Sequence, residues 1–247
     1  MLFTTMGIYF YYQDAFILGD LLKYTITGDN LQFVNVQFEP GEDIYSETGA
    51  MVYMTGNVSM KTSTKGGALK GLKRMITGES FFLTSFEAQG GRGIVGFGGK
   101  TPGKILDLNT DEGTWLVQRS AFLAAEGGVT QEMAFQKKMG SIFFGGEGLI
   151  LQKISGKGMA FIHASGDFNI VDLKPGQVYK VSTSKVVGWQ DGVKFDITTI
   201  GGVKNALFGG EGLFVTTLTG PGKIIIQSMS LADLAAALYP YMPQPSR

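Results

Sequence analysis

Few side chains in this sequence have the types and spacing that catalysis needs. His163 is the only histidine, and cysteine is absent. A serine–histidine–acid relay has to run through His163, with Ser155 or Ser165 near it in sequence. His163 lies in the apolar run Met159-Ala160-Phe161-Ile162-His163-Ala164, without the strand–Gly-x-Ser-x-Gly–helix context of a nucleophile elbow. The residues therefore read as a core histidine. Zinc needs several His or Cys ligands, which one histidine cannot supply. Carboxylates are the alternative. Glu79, Glu147 and Glu211 follow Gly78, Gly146 and Gly210 at nearly equal steps along the chain. Meeting on one axis, they can hold a hard cation such as calcium. The simpler reading has each glutamate close its own glycine turn by accepting backbone N–H groups. Asp107–Gly113 has the flavour of a calcium loop but lacks its full spacing and its terminal glutamate, so it reads as a polar turn.

Charge is balanced, with 21 basic and 21 acidic side chains. A nucleic-acid binder carries a basic excess as a rule, so that role is disfavoured. One cluster departs from the balance: Lys61, Lys65, Lys70, Lys73 and Arg74, with no acid among them. It is a candidate contact for an anionic partner, whether membrane surface, acidic protein or nucleic acid. With residues 68–75 helical, Leu69, Leu72 and Met75 add an apolar edge that suits a surface-lying element. The plainer reading is a solvated loop whose apolar residues pack on the body.

The elements that position these residues follow from an internal repeat. Phe143-Phe144-Gly145-Gly146-Glu147-Gly148-Leu149-Ile150-Leu151 recurs as Leu207-Phe208-Gly209-Gly210-Glu211-Gly212-Leu213-Phe214-Val215, and more weakly as Ile76-Thr77-Gly78-Glu79-Ser80-Phe81-Phe82-Leu83. A second glycine turn follows each copy: Gly91-Arg92-Gly93, Gly156-Lys157-Gly158 and Gly220-Pro221-Gly222. Apolar runs flank each of these turns, which predicts a β-hairpin. A corner glycine precedes each copy, at Gly41, Gly113 and Gly176. Two landmarks at matching steps predict three similar β modules, at about 22–101, 102–167 and 168–230. Hydrophobic residues make up 44% of the chain, enough for a sizeable core, and the 37 glycines fall at turns. The uninterrupted apolar runs Leu149-Ile150-Leu151 and Leu213-Phe214-Val215 suit strands covered on both faces.

Residues 1–21 read as an aromatic N-terminal arm, packing on the body or serving as an oligomer contact. No basic residue precedes Lys23, so neither a secretory signal nor a mitochondrial presequence is expected. No apolar run approaches the roughly 20 residues of a membrane span. Residues 231–247 read as a short helix and tail. Ser230 and Asp233 predict a capping box, Leu231, Leu234 and Leu238 an apolar face, and Pro240 the stop.

The Gly-Gly-Glu-Gly-Leu copies resemble the altered-inheritance-of-mitochondria family, found in prokaryotes and mitochondria. So do Gly49-Ala50-Met51-Val52-Tyr53-Met54, the stretch from Leu72 to Phe82, and Leu218-Thr219-Gly220-Pro221-Gly222-Lys223. The resemblance covers about residues 22–238. It implies an all-β fold like that of the tryptophan RNA-binding attenuation protein: a β-sandwich repeated three times in one chain, in a pseudo-threefold arrangement. Mitochondrial relatives are associated with inner-membrane organisation. The attenuation protein binds RNA through basic residues repeated around a ring, and no basic motif recurs here in all three copies, so its function does not follow from its fold. The expectation is a cytoplasmic, non-catalytic binding or scaffold protein without cofactor or metal. It serves membrane-associated or protein assemblies and forms a cyclic homo-oligomer, because repeat sandwiches leave edge strands that are paired or covered, with the N-terminal arm as one cover. The alternatives are an RNA- or small-ligand-binding module, or a metal-dependent enzyme using the three glutamates.

Overall fold

The computed structural model describes residues 22–64, 82–137, 149–199 and 214–243. The described residues are predominantly β, arranged in several sheets, with one short α-helix near the C-terminus. Its first strands are β1 (Lys23–Thr27), β2 (Phe33–Phe38), β3 (Ile44–Glu47), β4 (Met51–Met54), β5 (Val58–Thr64), β6 (Phe82–Ala88) and β7 (Gly93–Gly98). Then come β8 (Gly103–Asn109), β9 (Trp115–Gln118), β10 (Phe122–Glu126), β11 (Val129–Lys137), β12 (Leu149–Gly156) and β13 (Met159–Ser165). The last strands are β14 (Phe168–Leu173), β15 (Val178–Ser182), β16 (Val186–Gln190), β17 (Lys194–Thr199), β18 (Phe214–Thr219) and β19 (Gly222–Gln227). Helix α1 (Leu231–Leu238) closes the chain.

One set of antiparallel pairings occurs three times. In the first stretch β7 pairs with β2 and β4, and β6 with β3 and β5. Next, β13 pairs with β8 and β10, and β12 with β9 and β11. Last, β19 pairs with β14 and β16, and β18 with β15 and β17. Even the irregularities recur, with register shifts between Met51 and Tyr53, Phe122 and Ala124, and Val186 and Gly188. Two joints link successive stretches: β3 pairs with β10, and β9 with β16. The joints produce two six-stranded sheets, β5-β6-β3-β10-β13-β8 and β11-β12-β9-β16-β19-β14. They leave a four-stranded sheet, β1-β2-β7-β4, and a three-stranded one, β15-β18-β17.

These pairings correct the hairpins expected around the second glycine turns. The strands flanking Gly91–Gly93, Gly156–Gly158 and Gly220–Gly222 fall in different sheets. The glycines turn the chain across a core, from one sheet to the next. Gly156 and Gly158 take φ values of 108° and 122°, a region where other residues are strained. Alternating apolar residues on both strands are equally compatible with a hairpin and with a crossing between facing sheets. Sequence periodicity does not separate the two.

Three apolar cores fill the spaces between sheets. β2 shows the alternation that builds them: Val34, Val36 and Phe38 are buried, and the residues between them half-buried. The six-stranded sheets serve two cores each. β13 sends Ala160, Ile162 and Ala164 to the middle core, and Met159 and Phe161 to the first. Its whole length is buried as a result. Leu149, Ile150 and Leu151 are buried as well. Phe214 and Val215 are only half-buried, because the three-stranded sheet has a core on one side alone. Helix α1 starts at the expected capping box, in which Ser230 Oγ accepts from the Asp233 backbone N–H and the Asp233 carboxylate from that of Ser230. Its apolar face is not packed inward, since Leu231 and Leu238 are exposed.

The starts of the three stretches run side by side. Gly103 accepts from the Gln32 backbone N–H at 3.2 Å and bridges in parallel to Leu31 and Gly166. A Cβ on Gly103 would lie 2.0 Å from the Ala164 carbonyl oxygen. Gly103→Ala is expected to cost about 1–3 kcal/mol, the range for overpacking a filled site. Thermal unfolding checks this, as a lowered melting temperature; an unchanged one contradicts the tight approach.

Candidate functional site

Of the expected basic contact, Lys61 is an exposed residue midway along β5 and pairs with Glu87 Oε2 at 3.0 Å. Lys65, Lys70, Lys73 and Arg74 lie outside the described residues, as do the turns Gly78-Glu79, Gly146-Glu147 and Gly210-Glu211. All three turns fall in the same connection of the recurring pattern: β5 to β6, β11 to β12 and β17 to β18.

His163 is a buried residue of β13. Its ring packs against the backbone, so that a Cβ on Gly99 would lie 2.2 Å from the ring Cδ2 and one on Gly103 2.7 Å from Nε2. Burial pushes its pKa below the ordinary value, and a hydrogen bond with the Thr101 backbone opposes that only in part. Ser165, the nearest candidate nucleophile, has its hydroxyl 2.7 Å from Thr101 Oγ1. Its backbone N–H donates to Gln227 Oε1 at 2.9 Å. Both residues are held by the packing where successive stretches meet.

The Asp107–Gly113 segment spends its oxygens locally. Asp107 Oδ2 accepts from the Tyr24 hydroxyl at 2.7 Å. Asn109 Oδ1 caps the turn by accepting from the Asp111 N–H at 3.0 Å. Asp111 Oδ2 accepts from the Gly158 N–H at 3.3 Å, and the Thr110 hydroxyl donates to the Gly158 carbonyl at 2.8 Å. Glu126, which the sequence reading passed over, completes this clasp on the β12–β13 crossing by accepting from the Met159 N–H. Its pKa is raised, first by burial and opposed by that hydrogen bond. A glutamate ending a strand opposite a Gly-Lys-Gly turn carries no signal that separates a clasp from a solvated side chain. Among the described residues, no three His, Cys, Asp or Glu side chains form a group able to hold a metal ion.

The other surface of note is backbone. β4 ends the four-stranded sheet and β15 ends the three-stranded one. Both edges carry large apolar residues in the open: Val52, Tyr53 and Met54 on β4, Val178 and Tyr179 on β15. Neither edge shows in the sequence, because the matching strands, β10 and β16 for β4 and β3 and β9 for β15, have similar apolar content and are mostly buried.

Sheets joined end to end over separate apolar cores make the described part of this chain an all-β protein. The chain belongs to the mitochondrial biogenesis AIM24 family, whose model matches residues 24–229. It is 30% identical over 244 residues to an uncharacterized protein of Streptococcus pyogenes serotype M6, covering 95% of this chain and 96% of that one. It is also similar to the crystal structure of a Streptococcus pyogenes protein, with a TM-score of 0.76 and 31% identity over 90% of this chain and all of that one. Among the described residues, no helix is long and apolar enough to cross a membrane.

The burial of His163 has a consequence for pH. Its folded pKa lies below the unfolded value, so the unfolded chain takes up the proton first. The stability it contributes is full above about pH 6.5 and is lost as pH falls through that value towards the lower folded pKa. The melting temperature is expected to drop more steeply across that window for the parent than for His163→Gln. Parallel slopes would mean that His163 protonates in place without cost.

Proposed function

We propose that this chain is a non-catalytic assembly module. On this reading it consists of three tandem sandwiches like that of the tryptophan RNA-binding attenuation protein, each related to the next by the same strand-to-strand joint. Its working chemistry is β-pairing and apolar burial, and it serves as a scaffold in protein or membrane-associated assemblies. One observation carries this reading: among the described residues, the strand positions paired and buried at the two internal joints have no strand partner at β4 and β15, and apolar side chains are exposed there. Unpaired apolar edges are an aggregation hazard that folded proteins pair, cover or blunt with charge. The uncharacterized Streptococcus pyogenes relative is compatible with this reading.

The rival reading uses Glu79, Glu147 and Glu211 as metal ligands in an enzyme. The two separate by elemental analysis of the purified chain, together with hydrolysis of ester, phosphate and glycoside substrates. The expected result is no stoichiometric metal and no turnover. A bound metal lost in a Glu147→Gln variant that keeps the parent melting temperature would overturn the assembly reading.

A further inference from the structure

We propose that the two ends of this chain are complementary halves of one interface. β4 of one copy pairs antiparallel with β15 of a second copy. The outer face of β2, β7 and β4 then closes the last core of that second copy. The proposal deepens the assembly reading above and rests on it, naming the partner as another copy of this chain.

The internal joints supply the register. At the first, Ala124 faces Ser46, Ala125 faces Tyr45 and Glu126 faces Ile44. At the second, Gly188 faces Val117, Trp189 faces Leu116 and Gln190 faces Trp115. The recurring register shift places Tyr53 where Ala124 and Gly188 stand. The short connections 48–50, 119–121 and 183–185 likewise align Ser182 with Gln118 and Glu47. A third joint of the same build sets Tyr53 against Val181, Met54 against Lys180 and Thr55 against Tyr179 of the second copy. Both internal joints also end on one hydrogen bond, Gly127 N–H to the Asp43 carbonyl at 2.7 Å and Asp191 N–H to the Thr114 carbonyl at 3.0 Å. The matching bond runs from the Gly56 N–H to the Val178 carbonyl. Thr55 donates its own N–H inward, to the Ile94 carbonyl at 2.9 Å, so alternation along a strand leaves the outer edge to its neighbours.

The cores give a second, independent argument. The first core takes in Ile105, Leu123 and Phe161 from the following stretch, and the middle core takes in Val187 and Ile225 from the one after. Among the described residues, no following stretch contributes to the last core. Its rim is accordingly left half-covered, with Phe135, Val171, Phe195, Phe214 and Ile226 only partly buried. The position that supplies Leu123 and Val187 to the preceding cores is occupied in the first stretch by Val52. Val52 is 61% exposed and its neighbour Tyr53 42%, while Val178 on the opposite edge is 51% exposed. The Tyr53 ring lies edge-on to Phe33, 6.3 Å between centroids, extending this outer apolar face. One copy thus has a lid without a core, and a core without a lid. Pairing them makes the sheet β17-β18-β15-β4-β7-β2-β1, built like the two six-stranded sheets with β1 added. The contact is head-to-tail, so each copy added presents a fresh end until the assembly closes on itself or grows as a filament.

The test uses the full chain, whose lack of cysteine makes engineered thiols unambiguous. Light scattering of the parent is expected to give a mass above the 26.6 kDa of one chain. Met54→Lys sets like charges opposite each other at Lys180, which disfavours cross-strand pairing, and is expected to return the mass to one chain with unchanged circular dichroism. Met54→Lys with Lys180→Glu is expected to restore the oligomer. Met54→Cys with Lys180→Cys should oxidise to a ladder of linked chains, whereas Met54→Cys with Val178→Cys, two positions out of register, should not. A parent of one-chain mass across the micromolar range overturns the proposal. So does a Met54→Cys, Lys180→Cys pair that closes within one chain, which would mean closure in cis. Efficient dimers from Met54→Cys alone overturn it in favour of two β4 strands pairing with each other. An oligomer indifferent to Met54→Lys, with no ladder, removes this joint and leaves the assembly reading standing. Stoichiometric metal or turnover removes that reading whatever the mass.

Discussion

Everything in this molecule depends on satisfying backbone hydrogen bonds along the edges of short strands. Each three-strand half-sheet has an edge that the rest of its own stretch does not cover. β3 and β9 solve this by borrowing β10 and β16 from the next stretch. Those joints do more than pair amides. They merge half-sheets into sheets with a core on either side, so the burial of Val117, Leu151 or Phe161 follows from the joint. Strand pairing and core formation are therefore one event here. A buried backbone group without a partner costs about 1–3 kcal/mol, which is why a solution found once is repeated with the same register.

Much of this was legible in the sequence. Leu149, Ile150 and Leu151 lie in a buried strand as their apolar run predicts, and Ser230 with Asp233 builds the predicted capping box. His163 is packed as the apolar run around it suggests. The crossings at Gly91–Gly93, Gly156–Gly158 and Gly220–Gly222 were not legible as such, because local periodicity reports which residues are apolar and says nothing of which sheet receives them. The Glu126 clasp on the Met159 N–H and the exposure of Val52 share that difficulty. Val52, Leu123 and Val187 are similar residues in equivalent strands, and only their neighbours in space make one exposed and two buried.

The described titratable groups are taken up by packing and by local hydrogen bonds. His163 is pressed against glycines, and Ser165 is bonded to Thr101. The oxygens of Asp107, Asn109 and Asp111 accept hydrogen bonds from neighbouring hydroxyl and backbone groups. Ion pairs such as Arg92–Glu39 and Lys61–Glu87 are well exposed, where such pairs contribute roughly 0–1 kcal/mol. The glycine-glutamate pairs fall in sequence between the same two strands in all three stretches, which ties them to the repeated architecture before any chemistry is invoked.

The central claim is that the end strands are the unpaired versions of the internal joints. Hydrogen exchange read by mass spectrometry tests it most directly, comparing peptides over 51–57 and 178–182 with peptides over 122–127 and 186–191 as the protein is diluted. The account predicts slow exchange at the internal joints at every concentration. At the end strands it predicts fast exchange when dilute and slow exchange when concentrated. End strands protected to the same degree at every dilution, or open at every concentration, would contradict it.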